Sequence, residues 1–230
     1  MFSGFDFGVI SRSLPYLSKE GLTFTLTLTA LASLGGIVCG TLIAMARLSS
    51  YRVLQVVGGA YVNLLRSLPL VLVIFWFYFL VPYIGAWLTG SATPIQVGAF
   101  PSALITFTIF EAAYFAGIMR AGIQSISKGQ TAAAQALGMN YWQTMGNVVL
   151  PQAFRNMLPL LLTQTIVLFQ DTSLVYVLSL TECMGAASKV AQRDGRLVEM
   201  YIFAAVVYLA ICFTASFLVR RLQRRVAIIR

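Results

Sequence analysis

Apolar residues run almost unbroken through five stretches of this chain, 22–46, 67–88, 100–119, 156–180 and 200–219, and polar residues collect between them. Each stretch is close to the ~20 residues that a helix needs to cross about 30 Å of hydrocarbon, so the pattern predicts five membrane-spanning helices. Between the third and fourth, over 127–159, small and polar residues with a helical period replace the continuous apolar run. Ser127 with Gln130 has the spacing of a capping box, and Gly138 supplies a stop. Asn140 with Gln143 opens a second helix in the same way, and Pro151 is expected to end or kink it. Ala133, Ala136 and Leu137 share one face of the first helix; Tyr141, Met145, Val148 and Val149 share a face of the second. Two amphipathic helices too short to span a bilayer predict a loop that offers its apolar face to a partner.

Composition agrees with the periodicity. The chain of 230 residues is 59% hydrophobic and only 10% charged, with a mean hydropathy of +0.83, outside the range of ordinary soluble domains. No repeat or linker divides it, and an odd number of spans argues against inverted-repeat transporters, so a single polytopic helical domain is expected. Residues 1–20 lack the basic start, apolar core and cleavage site of a secretory signal peptide. Arginine and lysine placement sets the orientation. With residues 1–21 outside, the cytoplasmic side receives Arg47, Arg52, Arg66, Arg120, Lys128, Arg155 and a basic tail over 220–230. The other side keeps Arg12, Lys19, Lys189, Arg193 and Arg196, which satisfies the positive-inside rule and puts the loop over 120–155 in the cytoplasm. The net charge of +9 therefore reflects topology and anionic lipid; a stop-transfer cluster is the better reading of Arg220–Arg225 than a nucleic-acid site.

Several chemistries are removed by what the chain lacks. It has no His, the commonest metal ligand and proton shuttle, and Cys39, Cys183 and Cys212 are spaced for neither a disulfide framework nor a metal site. There is no Gly-rich phosphate loop ending in Lys-Ser/Thr, so an ATP-driven process would need another subunit to bring the nucleotide.

The loop resembles the cytoplasmic coupling loop of ABC importer permeases, in which Glu-Ala-Ala is followed by Gly and then by an apolar residue and Leu-Pro. Ala132-Ala133-Ala134, Gly138, Val149 and Leu150-Pro151 fall in those places, with Ala132 where the family usually has Glu. The resemblance extends from about Gly21 to Arg221. Asn63-Leu64-Leu65-Arg66-Ser67-Leu68-Pro69-Leu70 is similar to the segment that opens the second span of polar amino-acid permeases. Residues 113–123 are similar to their third-span exit, with Gly117 in place of an acidic residue, and Gln170-Asp171-Thr172-Ser173-Leu174 is similar to their Lys-Asp-Thr-Ser-Leu segment. Residues 159–180 look most like glutamate/aspartate import permeases.

The resemblance implies an all-α integral membrane protein of the type I ABC importer permease arrangement, not itself an enzyme, in a bacterial inner membrane with the N-terminus outside and the C-terminus cytoplasmic. It implies ABC ATPase subunits that carry ATP and magnesium, a second permease subunit, and a soluble or periplasmic amino-acid-binding protein. The missing Glu at Ala132 favours a paralogue as the second permease. The implied docking residues are Ala132, Ala133, Gly138, Met145, Leu150 and Pro151.

Polar residues inside the spans are expensive and mark candidate path positions. Asp171 lies about 22 Å into the fourth span, past the midplane, where it either breaks the helix with Thr172 and Ser173 or lines the path. Gln164 faces a similar side and either lines the path or bonds a neighbouring helix. Glu111, the charge inside the third span, is expected to pair with an Arg or to line the path. Arg66, read as heading the second span, either snorkels to the interface or holds an anionic group by its fork of donors. The segment 181–199 is read as an outer loop whose Glu182, Lys189, Arg193, Asp194 and Arg196 are either solvated or meet a binding protein. A non-transporting scaffold that recruits a cytoplasmic partner through the 127–151 loop is the alternative from another class.

Overall fold

The computed structural model describes residues 5–95 and 97–226. Residues 1–4 of the N-terminal segment and 227–230 of the expected basic tail lie outside the described residues. Among the described residues, five helical stretches are long and apolar enough to cross a membrane: Phe7–Leu48, Leu70–Thr89, Ala99–Gln124, Tyr141–Leu178 and Leu197–Arg225.

The first combines α1 (Phe7–Tyr16), a π-helical turn (Leu17–Leu22) and α2 (Thr23–Leu48). Asp6 starts α1 by accepting the Gly8 N–H at 2.8 Å. An amphipathic helix that the sequence reading did not separate, α3 (Arg52–Arg66), follows and rests on α2 and on α6 (Ala99–Gln124). Arg66 therefore ends α3 rather than heading the second span. That span begins after Pro69 with α4 (Leu70–Phe75), a π turn (Trp76–Leu80) and α5 (Val81–Thr89).

The fourth span is longer than its apolar run. After α6 come α7 (Lys128–Ala136), α8 (Tyr141–Thr144), a π turn (Met145–Val149) and α9 (Leu150–Asp171), with helical turns unbroken from Tyr141. Pro151, expected to end or kink the helix, does not end it. A proline ring crowds the carbonyl of the preceding turn and supplies no N–H. Here the turn widens instead, and the Leu150 N–H bonds Met145 O, five residues back. The same device precedes Pro82, where the Val81 N–H bonds Trp76 O. Two prolines thus sit inside spans at the mouth of a π turn, and neither breaks its helix.

Close packing of small residues holds the centre. The longest seam is α2 on α6, where a Cβ on Gly40 would stand 2.8 Å from the Phe115 Cβ and 3.0 Å from the Ala116 N. Lipid offers no hydrophobic drive for helix association, so such backbone approach is what such helices gain from packing. Leu28, Ala32, Ile74, Phe107, Leu168 and Val175 fill the space around it.

The segment 181–199 is not a solvated loop. It folds as α10 (Cys183–Asp194), whose Ala186, Ala187, Val190 and Ala191 are buried against α1, the first π turn and α11 (Leu197–Val226). Glu182 is wholly buried, which removes it from any docking rim. Its carboxylate caps α10 by accepting the Met184 and Gly185 N–H groups, and takes the Tyr208 hydroxyl at 3.1 Å. The Cys183 N–H donates to Thr25 Oγ1 at 3.0 Å, which ties α10 to α2. Burial raises the Glu182 pKa to about 7, against the pull of these hydrogen bonds in the other direction. The folded chain then keeps a proton that the unfolded chain releases near pH 4.5, so this group's contribution to stability is present below that pH and fades as pH rises through about 7. The thermal midpoint of the detergent-solubilised chain should fall between pH 4.5 and 7 by more in the wild type than in Glu182→Gln. Equal slopes would refute the assignment.

Candidate docking loop and polar strip

Gly138 terminates α7 as the sequence implies. Its φ of +79° is open to glycine at little cost, and the Gly138 and Met139 N–H groups reach back to Gln135 O and Ala134 O at 2.9 and 3.1 Å. Ser127 does not act through its side chain: only its carbonyl accepts the Gln130 N–H, at 3.0 Å. Asn140 and Gln143 do form a capping box, each side chain accepting the other's backbone N–H at 2.9 and 3.0 Å. Asn156 Nδ2 donates to Ser125 Oγ at 2.9 Å, which pins the start of the loop to α9.

Ala134 is the buried residue of α7, whereas Ala132, Ala133, Ala136 and Leu137 are exposed. On the second helix Val149 is buried, Met145 and Val148 are half-buried, and Leu150 and Pro151 are exposed. Three large apolar side chains stand outward around the Gly138 turn: Leu137 84%, Tyr141 61% and Trp142 78% exposed. Tyr141 and Trp142 pack edge to face at 5.4 Å. Exposed apolar surface of this kind on a polar loop marks a binding surface. Trp142 was not among the sequence candidates, although an aromatic in the first turn of a capped helix was the available signal.

In the spans, Glu111 is fully buried in α6, and its partner is an amide rather than the expected Arg. Gln164 Nε2, from α9, donates to its two carboxylate oxygens at 3.0 and 3.3 Å. Asp171 is half-buried two turns further along α9 and lies within electrostatic reach of Glu111. The helix changes pitch after Asp171 without breaking and continues as a 3-10 helix over Thr172–Leu178. The short oxygens do not cap a restart, however. Asp171 makes no side-chain cap, and Thr172, buried, returns its hydroxyl to Phe169 O at 2.7 Å. Ser173 stands apart from this group. It lines a cavity of about 360 Å³ between α9, the 3-10 helix and α11, together with Gln170, Tyr176, Tyr201 and Tyr208.

Arg66 lies further along α6. Its guanidinium sits over the Tyr114 ring, 5.1 Å from the centroid, and Nη1 comes within 3.3 Å of where a Cβ on Gly117 would be. Glu111, Gln164 and Asp171 are thus brought together; Arg66, from the end of α3, meets α6 at Tyr114, about one turn from Glu111, and Thr172 and Ser173 do not join them.

Five spanning helices, an interrupted fourth span and a short-helix loop between the third and fourth define the class: an integral-membrane permease with the type I ABC importer fold. The chain belongs to the binding-protein-dependent transport system inner membrane component family, whose pattern matches residues 36–228. It is 52% identical over 223 residues to the glutamate/aspartate import permease protein GltK of Escherichia coli O6:H1, covering 97% of this chain and 99% of that one. The glutamine transport system permease protein GlnP of Escherichia coli K12 is 33% identical over 225 residues, 98% of this chain and 99% of its own length. Among solved structures, an amino acid ABC transporter with histidines superposes with a TM-score of 0.86 at 31% identity, over 96% of this chain and 98% of that one.

Proposed function

We propose that this chain forms half of the translocation path of an ATP-driven importer for acidic amino acids, glutamate and aspartate. The observation that carries the proposal is mechanical. The exposed Tyr141 and Trp142 of the patch and the polar residues Gln164 and Asp171 belong to one connected element, because the helix from Tyr141 runs unbroken to Asp171. A push on the patch is therefore delivered to the middle of the membrane.

In this reading the loop faces the cytoplasm and docks an ABC ATPase, which brings the ATP and magnesium that this chain does not hold. A second permease chain closes the path, and a soluble amino-acid-binding protein delivers the cargo at the opposite end. Closure of the ATPases on nucleotide draws α7 and α8 together with α9 and rocks the bundle. Gln164, Asp171 and Arg66 line the path; Glu111, wholly buried, holds the Gln164 amide from behind. The acidic-substrate assignment is supported by the 52% identity to a glutamate/aspartate permease and by a guanidinium with no ion-pair partner among the described residues.

Cells stripped of their own acidic amino-acid uptake and supplied with this chain and its partner subunits should accumulate labelled glutamate. Excess unlabelled aspartate should suppress the signal and excess arginine should not. Suppression by arginine alone would refute the substrate class, and no accumulation of any amino acid would favour a scaffold.

A further inference from the structure

Four arginines end α11, and their spacing divides them between two faces. At ~100° per residue, Arg221 and Arg225 stand in line with Thr214 and Leu218, whereas Arg220 and Arg224 turn to the flank. All four are exposed, and none makes an ion pair among the described residues. No Asp or Glu follows Glu199 in the sequence, so this end of the chain supplies no counter-charge of its own. Topology accounts for the positive charge but not for its division between faces.

The face shared by Arg221 and Arg225 carries a groove. Ala210, Ile211, Thr214, Ala215 and Leu218 line an open hollow of about 470 Å³ that follows α11 for about 12 Å. A smaller hollow of about 170 Å³ shares Ile211 and Ala215 and reaches between α2 and α9, past Thr29, Thr165, Ile166 and Phe169. The hydroxyls of Thr29 and Thr165 are returned to Thr25 O and Leu161 O at 2.8 and 3.1 Å, so no free donor interrupts this wall. On α9 the residues of the wall centre on the side opposite Gln164 and Asp171, which turns the groove away from the polar strip and towards lipid. A branched apolar groove that ends at two unpaired guanidinium groups suits acyl chains below an anionic headgroup. A zwitterionic lipid would bring its own cation to the same place, and a free phosphate would leave the groove unfilled. We propose that the groove over 210–218 and the hollow between α2 and α9 hold the acyl chains of an anionic phospholipid whose phosphate is bound by Arg221 and Arg225.

The test is native mass spectrometry of the purified permease–ATPase complex in mild detergent, titrated with dioleoylphosphatidylglycerol, dioleoylphosphatidylcholine or glycerol phosphate. The wild type should hold phosphatidylglycerol roughly tenfold more tightly than phosphatidylcholine, at a fixed ratio to the permease chain, and should not hold glycerol phosphate. Arg221→Gln/Arg225→Gln should erase that preference. Arg220→Gln/Arg224→Gln removes the same charge from the flank and should keep it. Thr214→Phe, at an exposed position, fills the groove and should weaken both lipids. The same spectra report whether each variant assembles, and the wild-type comparison of the two lipids stands whether or not a variant does. Equal binding of the two lipids by the wild type, or equal losses from the two arginine pairs, overturns the site and leaves a non-specific basic collar. Glycerol phosphate held as tightly as the lipid overturns the role of the groove. A photo-crosslinker attached through Thr214→Cys that captures the second permease chain also overturns the proposal, by making this face an interface between permeases.

Discussion

Gly40→Leu is expected to prevent the bundle from assembling. A Cβ at this position meets the Phe115 Cβ at 2.8 Å, the Ala116 N at 3.0 Å and the Ala112 O at 3.1 Å, and two of those three atoms are backbone. A flexible side chain can turn aside, but a helix backbone yields only if α2 and α6 separate. That separation also opens the buried cluster around Phe115, Ala116 and Ala113. Overpacking a well-filled interior typically costs 1–3 kcal/mol, and a four-carbon side chain driven into backbone should cost about 3 kcal/mol or more. The variant should fail to accumulate in membranes or should lose most of its thermal stability in detergent. Gly59→Ala is the control: no atom lies within 4 Å of its Cβ position, so expression and stability should match the wild type. A Gly40→Leu protein as stable as wild type would show that the α2–α6 seam is not as described.

Gly138→Val should uncouple the chain from its ATPase without unfolding the membrane domain. Space is not the constraint, since nothing lies within 4 Å of the Cβ position; the constraint is the φ of +79°. A β-branched residue is a genuine outlier in that region, and the left-handed conformation costs it about 1–2 kcal/mol. The relaxed alternative removes the return bonds from Gly138 and Met139 and lets α7 run on, which carries Leu137 away from Tyr141 and Trp142. Strain of this order corresponds to roughly tenfold weaker association with the ATPase. Co-purification of the ATPase and ATP-dependent uptake should fall together while the amount of inserted chain is unchanged. Gly138→Asp adds a charge beside the apolar patch and should be at least as damaging. Normal uptake in both variants would remove the loop from the coupling mechanism.

The five spans were legible because hydrocarbon thickness imposes a length on every apolar helix, and composition alone carries that signal. The Asn140 box and the Gly138 stop were legible because each depends on residues within four positions of one another. What failed depended on tertiary surroundings. Pro151 reads as an end or a kink, and the π turn over Met145–Val149 lets the helix pass it. Glu182 and its neighbours read as an outer loop, solvated or facing a binding protein, because α10 is short and polar in composition; its burial follows from α1 and α11 packing against it. Glu111 was expected to pair with an arginine or to line the path, yet its partner Gln164 is 53 residues away in sequence, a separation that no local pattern reports. Arg66 was read one helix too late, because the break at Ser67–Pro69 looks like a span entrance whether or not a helix precedes it. Resemblance to a known family supplied the role proposed for the loop, which composition and spacing could describe only as an exposed apolar face.

The most direct test of the central claim is uptake of radiolabelled glutamate into proteoliposomes that contain the complex co-purifying with this chain, with ATP placed on the ATPase side and the binding protein on the other. The structure and its relatives predict accumulation that requires ATP, follows the binding protein and disappears with Gly138→Asp. An assembled complex that hydrolyses ATP but moves no acidic amino acid, or uptake indifferent to ATP, would contradict it.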